Sequence, residues 1–344
     1  MADPSFGGIA ELDGVSMGRV AAFSCTLQAG MGFYRVRKAC ARGEFATIAQ
    51  ALAQWRADKS TLAPPHSAVI DIADSSVYLE SLQLELGAGE HLLLRSASLA
   101  RPSIHLPACD EGLPIVQVHA GSGSGLTLDG LSFAGKIKVV SSASADHPAS
   151  LALNGCTLIP HTQLDSPAWR APASLLVHGA NLEVNITRSV LGPIQVEEGA
   201  QPGVKVRLRL SESIVDGGHA SALAISNQRQ GVAAVNLSLE RGTVIGVTQV
   251  SAIGQVNGAS FLGPLLVALR HSGKVNACYL APGSRTPCVE HRVHERPQYI
   301  SLCYGMPGYG QVAARTTCGC ADGDQALKQW WRSLMPRRAS TAIG

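Results

Sequence analysis

The sequence predicts an all-β protein, a right-handed parallel β-helix closed at its N-terminal end by an α-helix and followed by an irregular C-terminal segment. Three observations predict this fold: one amphipathic helical stretch, a long series of short strand-like stretches behind it, and an internal repeat. The composition agrees, since 36 glycines and only 5% aromatic residues in 344 suit many tight turns and small interior side chains.

Residues 44–59 have the period of an amphipathic helix. Thr47 is a suitable N-cap, although Gln50 makes the capping box imperfect, and Pro64 and Pro65 prevent continuation. The apolar side chains that recur on one face are Phe45, Ile48, Ala51, Leu52 and Trp55.

Short apolar or alternating stretches follow this helix, each bounded by Gly, Pro, Asp or Ser. Such stretches are typical of strands separated by turns. The first of them cover residues 68–72, 82–86, 91–95, 104–106 and 115–118.

From Leu126 the chain repeats a Ser or Thr followed by a large apolar residue. We expect these pairs to stack in successive coils as a structural ladder, with the apolar member pointing inward. Asp-Gly or Asn-Gly precedes three pairs and would turn the chain, and Gly135, Gly192, Gly246 or Gly263 follows four pairs at a second corner. The pairs are Ser132-Phe133, Thr157-Leu158, Ser189-Val190, Ser213-Ile214, Thr243-Val244 and Ser260-Phe261.

The spacing of the repeat separates the β-helix from other repeat folds. Successive apolar members lie 25, 32, 24, 30 and 17 residues apart, whereas a propeller needs a steadier period and a leucine-rich repeat a fixed Leu/Asn pattern. A β-sandwich is the remaining alternative, because it also uses many short strands.

The chain divides into three parts on this basis. Residues 1–43 are an irregular lead-in, residues 44–270 form the capping helix and the β-helix, and residues 271–344 form a C-terminal segment with a basic tail that we expect to be partly disordered. A net charge of +3 argues against nucleic-acid binding.

Targeting signals give a second set of expectations. The N-terminus has no signal-peptide pattern, and no apolar run is long enough to span a membrane. We therefore expect synthesis in the cytoplasm without a signal peptide, with incorporation into a particle as one later fate, and no membrane partner. The nine scattered cysteines indicate reduced thiols rather than a disulfide framework.

The junction between the helix and the first strands resembles the entry into pectate-lyase-like and pectin-methylesterase-like right-handed β-helices. That resemblance extends over about residues 44–270 and implies the same fold. The residues that carry it are Phe45, Thr47, Ile48, Ala51, Leu52, Ile70, Ile72, Tyr78, Glu80 and Leu82.

A narrower resemblance is to uncharacterised bacterial β-helix proteins associated with phage-tail-like gene clusters. It implies assembly with other subunits of a tail-like particle, and homo-oligomers such as trimers are known among tail β-helices. After residue 311 the chain departs from that group. The matching stretches are 126–135, 186–196, 211–217, 279–287 and 304–311.

Long corners between coils hold the candidate ligand-binding residues. Carboxylate, imidazole, indole and guanidinium groups in exposed loops can bind a sugar chain by stacking and hydrogen bonding, so polysaccharide is the expected ligand. Ordinary loop composition is the alternative explanation. The candidates are Asp146, His147, His161, Asp165, Trp169 and Arg170.

Catalytic and metal chemistry have weaker support. Asp129 and Asp216 stand at turn positions, where a bond from the backbone explains an aspartate, and Asp129, Asp146, Asp165 and Asp216 are single carboxylates separated in sequence. Cys318 and Cys320 are spaced poorly for structural zinc, so we expect neither a metal nor another cofactor.

The sequence therefore favours a non-catalytic structural or carbohydrate- and surface-binding module, with a part in a phage-tail-like assembly as one implied role. A polysaccharide lyase or glycoside hydrolase acting in a groove along the coils is the alternative. Either reaction would need converging acid–base or metal groups.

Overall fold

The strands pair in parallel and form a three-sided solenoid, as seen in a computed structural model that describes residues 31–61, 64, 66–107, 114–159, 173–197 and 206–313. From residue 68 to residue 280 the chain passes in each coil through face 1, then face 2, then face 3. The predicted right-handed parallel β-helix is confirmed. Among the described residues, no helix is long and apolar enough to cross a membrane.

The described residues contribute 27 strands to the three faces, and one of them, β22 (Val247–Asn257), turns from face 3 into face 1. Face 1 contains β1 (Gly32–Val36), β2 (Ala68–Ile72), β5 (His91–Ser96), β8 (Gly125–Asp129), β11 (Ala149–Asn154), β14 (Leu182–Thr187), β17 (Val206–Ser211), β20 (Ala233–Glu240) and β25 (Lys274–Asn276). Face 2 contains β3 (Val77–Leu79), β6 (Ser103–His105), β9 (Ser132–Ala134), β12 (Thr157–Ile159), β15 (Val190–Leu191), β18 (Ile214–Asp216), β21 (Thr243–Ile245), β23 (Ser260–Phe261), β26 (Cys278–Leu280) and β27 (Arg292–Val293). Face 3 contains β4 (Leu82–Leu86), β7 (Val116–Ala120), β10 (Ile137–Ser141), β13 (Leu175–Gly179), β16 (Ile194–Glu197), β19 (Leu223–Ser226) and β24 (Leu265–Val267).

Helix α1 (Ile48–Asp58) covers the N-terminal end of the solenoid. The side chain of Thr47 accepts the backbone N–H of Gln50 at 3.1 Å, as its N-cap role predicts. The buried face of α1 is the one that the sequence predicts. Ile48, Ala51, Leu52 and Trp55 are buried, and Phe45, just before the helix, packs against the core.

The interior is a stack of apolar ladders, because every second residue of each strand points inward and successive coils are in register. On face 2 the inward ladder contains the largest of these side chains. Its members, from β9 to β26, are Phe133, Leu158, Leu191, Val215, Val244, Phe261 and Leu280.

The corner between faces 1 and 2 is one residue in the left-handed conformation, repeated in seven successive coils. In six of them its N–H donates to the carbonyl of the next coil, for example Arg188 to Ser211 at 2.9 Å. Glycine occupies three positions, but the others have side chains, which this conformation disfavours. The residues are Gly130, Gly155, Arg188, Glu212, Arg241, Gly258 and Ala277.

The residue after this corner is enclosed and small in six of the seven coils. In two coils it is a serine whose hydroxyl accepts one N–H from a neighbouring coil and donates to carbonyls. Ser189 Oγ accepts from Cys156 at 3.0 Å, and Ser213 Oγ accepts from Ser189 at 3.1 Å. Burial raises the pKa of the Cys156 thiol to about 12, so this thiol stays protonated.

The predicted ladder of Ser/Thr-apolar pairs needs one correction. In four coils Ser132, Thr157, Thr243 and Ser260 point outward and the next residue points inward. In the other two, the serine itself fills the corner, and Val190 and Ile214 point outward in register with Thr157 and Thr243. The position of the left-handed residue decides which side chain points inward. It directly precedes Ser189 and Ser213, whereas in the other four coils one further residue separates it from the Ser or Thr.

The solenoid is also longer than residues 44–270. Strand β1 lies within the predicted lead-in, and β25, β26 and β27 continue the coils to Val293. These strands have only two to five residues, too few to show a periodicity in the sequence.

Residues 298–313 fold back over face 2 and form what we call the C-terminal lobe. Tyr309 is fully buried and packs with outward apolar side chains of face 2, while Tyr299 hydrogen-bonds Thr243 Oγ1 at 3.2 Å. The outward side chains beneath the lobe are Val190, Ile214, Ile245, Leu262, Tyr279 and Val293. Unlike the exposed outer face of an ordinary sheet, this surface is a second small core.

Candidate functional site

A line of amide side chains follows the outer side of face 3. Gln83 pairs in register with Gln117, Gln117 with Lys138, and Leu176 with Gln195. Leu176 also pairs with Lys138, so one line joins five coils. Gln117, Lys138 and Gln195 are half-buried between their neighbours, and this limits the rotamers that they can adopt.

A second outward line lies two residues further along the same strands. It contains Glu85, His119, Val140, His178 and Glu197, one from each coil. The two lines are joined where Gln117 Nε2 lies 2.9 Å from His119 Nε2. Gln117 and His119 lie on the same strand, so this contact links the two lines within one coil.

His178 and Glu197 contact each other across adjacent strands, through Nδ1 and Oε2. Burial lowers the pKa of His178, Lys138 lowers it further, and Glu197 acts in the opposite direction. A neutral ring that donates from Nδ1 to Glu197 keeps Nε2 as an acceptor, and the amide nitrogen of Gln228 lies 3.4 Å from it. The pair can therefore hold or move one proton.

We call this surface the face-3 patch and define it as Gln117, His119, Lys138, His178, Gln195 and Glu197. Its members come from four strands that are well separated in sequence, and none of them was among the predicted ligand-binding residues. The repeat does contain a signal for one line. In four coils the repeat ends in a valine, and the residue directly before that valine points outward. These residues are Lys138, Gln195, Gln249 and Leu266.

Two of the predicted ligand-binding residues are described. Asp146 and His147 are exposed where the chain turns from face 3 to face 1, and the carbonyl of His147 accepts the N–H of Gly123 at 2.9 Å. Whether they join the other four in one site stays a prediction, because His161, Asp165, Trp169 and Arg170 lie outside the described residues.

A second charged cluster lies at the end of the first strands of face 1. Arg95 Nε donates to Asp71 Oδ1 at 2.8 Å, and Asp129 is the register partner of Arg95 in the next coil. Burial raises the pKa of Asp129, and Arg95 and Arg188 oppose the rise. Two carboxylates therefore flank one guanidinium. This cluster could not be recognised from the sequence, because Asp71, Arg95 and Asp129 are 24 and 34 positions apart.

Asp216 acts in the turn as predicted, and it has an additional partner. Its Oδ1 accepts the N–H of Gly218 at 2.7 Å, and its Oδ2 accepts the hydroxyl of Tyr309 at 2.5 Å. Burial raises the pKa of this carboxyl, while both hydrogen bonds lower it. Asp216 thus fastens the C-terminal lobe and lies beneath it, away from the face-3 patch.

Metal binding has no support from the part of the chain that the structure describes. No group of three or more His, Cys, Asp or Glu side chains there could hold a metal ion. The predicted poor chelators Cys318 and Cys320 lie outside the described residues.

No known protein family and no curated protein matches the sequence. Two crystal structures of the pectin methylesterase from Aspergillus niger, one in deglycosylated and one in penultimately deglycosylated form, are similar to this chain at 12% identity and a TM-score of 0.32. The deglycosylated form covers 90% of this chain and 97% of its own, and the other form 77% and 84%. The strand pairing within the chain itself defines the protein as a parallel β-helix.

Proposed function

We propose that this protein is a carbohydrate-binding module and that an extended sugar chain lies across the face-3 patch. The observation that carries the proposal is the outward line on face 3, in which the half-buried Gln117, Lys138 and Gln195 present amide and amino groups and Leu176 lies between Lys138 and Gln195. Binding rather than chemistry is favoured because the described residues of the patch contain only one carboxylate, Glu197.

The chemistry of the patch matches sugar hydroxyls. Each amide both donates and accepts hydrogen bonds, and so does a neutral imidazole, which suits a ligand covered in hydroxyl groups. Coils repeat at about 4.8 Å, close to the length of one sugar unit in an extended chain. A polysaccharide aligned with the solenoid axis would therefore meet the polar groups of Gln117, Lys138 and Gln195, with the apolar Leu176 between the last two.

Affinity electrophoresis and isothermal calorimetry against a panel of neutral and acidic polysaccharides test the proposal. For a bound polysaccharide, Gln117→Ala and Gln195→Ala should each weaken affinity by about tenfold, the loss of one or two hydrogen bonds. Gln255→Ala is the matched control, because Gln255 is an exposed glutamine on face 1. Equal losses for all three variants, or no binding by the wild type, would contradict the proposal.

A polysaccharide lyase or glycoside hydrolase is the second candidate function. The contact between His178 and Glu197 favours it, because a neutral imidazole oriented by a carboxylate can accept a proton from a substrate. Release of reducing or unsaturated ends from the same polysaccharides is the measurement. Turnover that His178→Gln abolishes while affinity persists would make this protein an enzyme.

A place in a phage-tail-like assembly is a separate proposal that rests on sequence resemblance alone. Electron microscopy of purified particles from a producing strain, with antibody against this protein, tests it. Absence of the protein from such particles would refute it.

A further inference from the structure

The N-terminal half of face 2 carries a serine and a histidine in contact on its outer side. Ser103 and His105 lie two residues apart on β6, and Ile104 between them is fully buried in the core, so both side chains point outward. Ser103 Oγ is 2.7 Å from His105 Nε2. A hydroxyl within hydrogen-bond reach of an imidazole is the basic unit of an activated serine, because the ring can take the hydroxyl proton.

A second hydroxyl lies in the next coil, beside Ser103. Ser132 is the register partner of Ser103 and is only 7% exposed, and its Oγ has no hydrogen-bond partner within the described part of the chain. This side chain points outward, whereas Thr248, which has a similar orphan hydroxyl, shares the inward side of its strand with Val250. An enclosed hydroxyl without a partner costs about 1–3 kcal/mol. An outward one indicates a position where a ligand oxygen binds.

Backbone hydrogen bonds fix both serines in place. The N–H of Ser103 donates to the carbonyl of Ser76 at 3.1 Å, and the N–H of Ser132 donates to the carbonyl of Pro102 at 3.2 Å. Neighbouring strands lie about 4.8 Å apart, which leaves room for one carbonyl oxygen between the two hydroxyls. A carbonyl carbon attacked by Ser103 would therefore place its oxygen beside Ser132, where a hydroxyl donor stabilises the negative charge that develops.

Two exposed apolar side chains lie next to the serine and the histidine in the first coil. Val77 pairs in register with Ser103 and is 51% exposed, and Leu79 pairs with His105 and is 62% exposed. Solvent therefore reaches the contact from the side of the first coil, over an apolar surface. Such a surface suits the hydrocarbon part of an acyl group, which gains free energy when it leaves water.

We propose that Ser103 and His105 form a catalytic site, separate from the face-3 patch, that transfers a short apolar acyl group from an ester to water. Ser103 Oγ bonds to the carbonyl carbon while His105 Nε2 takes the hydroxyl proton, and the alcohol then leaves with that proton as its bond to the carbon breaks. Water attacks the acyl-serine and gives a proton to His105, which returns it to Ser103 as the carboxylic acid departs. Ser132 donates to the carbonyl oxygen in both steps, and Val77 and Leu79 contact the acyl chain.

A fluorophosphonate probe, which reacts covalently with activated serines, tests this site in the full-length protein. Peptide mass spectrometry should find the label on Ser103, and p-nitrophenyl butyrate should be hydrolysed. His105→Gln should slow both reactions by about 100-fold, the loss of a general base. Ser132→Ala removes a hydroxyl that has no described partner, so the fold persists, and it should slow hydrolysis by about 100-fold through loss of the oxyanion donor.

The chain offers a matched control in Ser221, whose Oγ lies 2.8 Å from His219 Nδ1 in an exposed turn. Ser221 should remain unlabelled, and His219→Gln should leave both rates unchanged. Label on Ser103 that His105→Gln slows, with hydrolysis lost in Ser103→Ala, supports the proposal. Four results would overturn it: an unlabelled Ser103 in the wild type, equal labelling of Ser103 and Ser221, rates that His105→Gln leaves unchanged, or hydrolysis that persists in Ser103→Ala.

Discussion

The carboxylate of Glu80, just after β3, accepts the backbone N–H of Ala49 at 2.7 Å in the first turn of α1. Its other oxygen accepts the N–H of Ile48 at 3.1 Å. A buried acid from the first coil thus satisfies two of the N–H groups that every helix leaves without an intrahelical partner, and it lies where the helix dipole favours negative charge. These two hydrogen bonds join helix α1 to the solenoid.

Glu80→Gln tests that junction. The amide keeps the size of the side chain but loses the charge and one acceptor, so we expect the free energy of unfolding to fall by about 1–3 kcal/mol. Urea denaturation measures it. Glu85→Gln, at an exposed glutamate on β4, is the control and should leave stability within about 0.5 kcal/mol of the wild type.

Thr248 and Thr243 should respond oppositely to the same substitution. The hydroxyl of Thr248 is fully buried without a hydrogen-bond partner, so Thr248→Val should raise stability by about 1 kcal/mol. The hydroxyl of Thr243 is bonded to Tyr299, and Thr243→Val should lower stability by about 1 kcal/mol. Thermal melts of both variants, showing changes of the same sign, would contradict this assignment of partners.

Gly258 and Gly263 should differ sharply in their tolerance of alanine. Gly258 has φ +60° but open space, since an added Cβ would lie 3.7 Å from the nearest atom, so Gly258→Ala should cost about 1–2 kcal/mol of backbone strain. At Gly263 the Cβ would meet the carbonyl of Ala220 at 2.3 Å and the carbonyl carbon of Gly246 at 2.4 Å. Both contacts are with backbone, so Gly263→Ala should cost roughly 3 kcal/mol or more. Equal midpoints in chemical denaturation would refute the close packing of this corner.

Asp216 predicts a pH dependence. Because burial raises its pKa in the folded protein, the native state binds this proton more tightly than the unfolded chain. The resulting stability is complete below the unfolded pKa and is lost as pH rises through the folded pKa. Asp216→Asn removes this loss, so its stability relative to the wild type should increase from about pH 4 to pH 7. Asp146→Asn, at an exposed corner, serves as the control, and parallel pH curves for Asp216→Asn and wild type would rule the effect out.

The sequence was sufficient for the fold and for the helix that caps it, because both produce periodic patterns over many residues. The two displaced pairs, Ser189-Val190 and Ser213-Ile214, show where such reasoning stops. Their corners are turned by Arg188 and Glu212, residues that rarely adopt the left-handed conformation. Because no glycine marks these two turns, the sequence repeat could be aligned only on its serines. That alignment places both pairs one residue away from their true strand register.

The face-3 patch was missed for a different reason. An outward residue on a parallel coil has its neighbours one full turn away, at distances set by corner loops of unequal length. Gln117, Lys138 and Gln195 are separated by 21 and 57 residues, yet they lie in one line. The repeat marks Lys138 and Gln195 as outward, but only the strand register brings Gln117 into the same line, whereas the loop residues that the sequence favoured all fall within residues 146–170.

The left-handed corner also makes the molecule modular. From Arg241 to Gly258 the chain completes a full circuit in 17 residues, with no long corner loop, and each end meets its neighbour through the same backbone bond. Because the interior presents matching apolar rows above and below, a duplicated copy of this unit could be spliced into the gene and would lengthen the rod by one step without altering the remaining windings. Growth or shrinkage by whole turns is thus an accessible evolutionary route for this protein, and a practical one for engineers who need spacers of graded length.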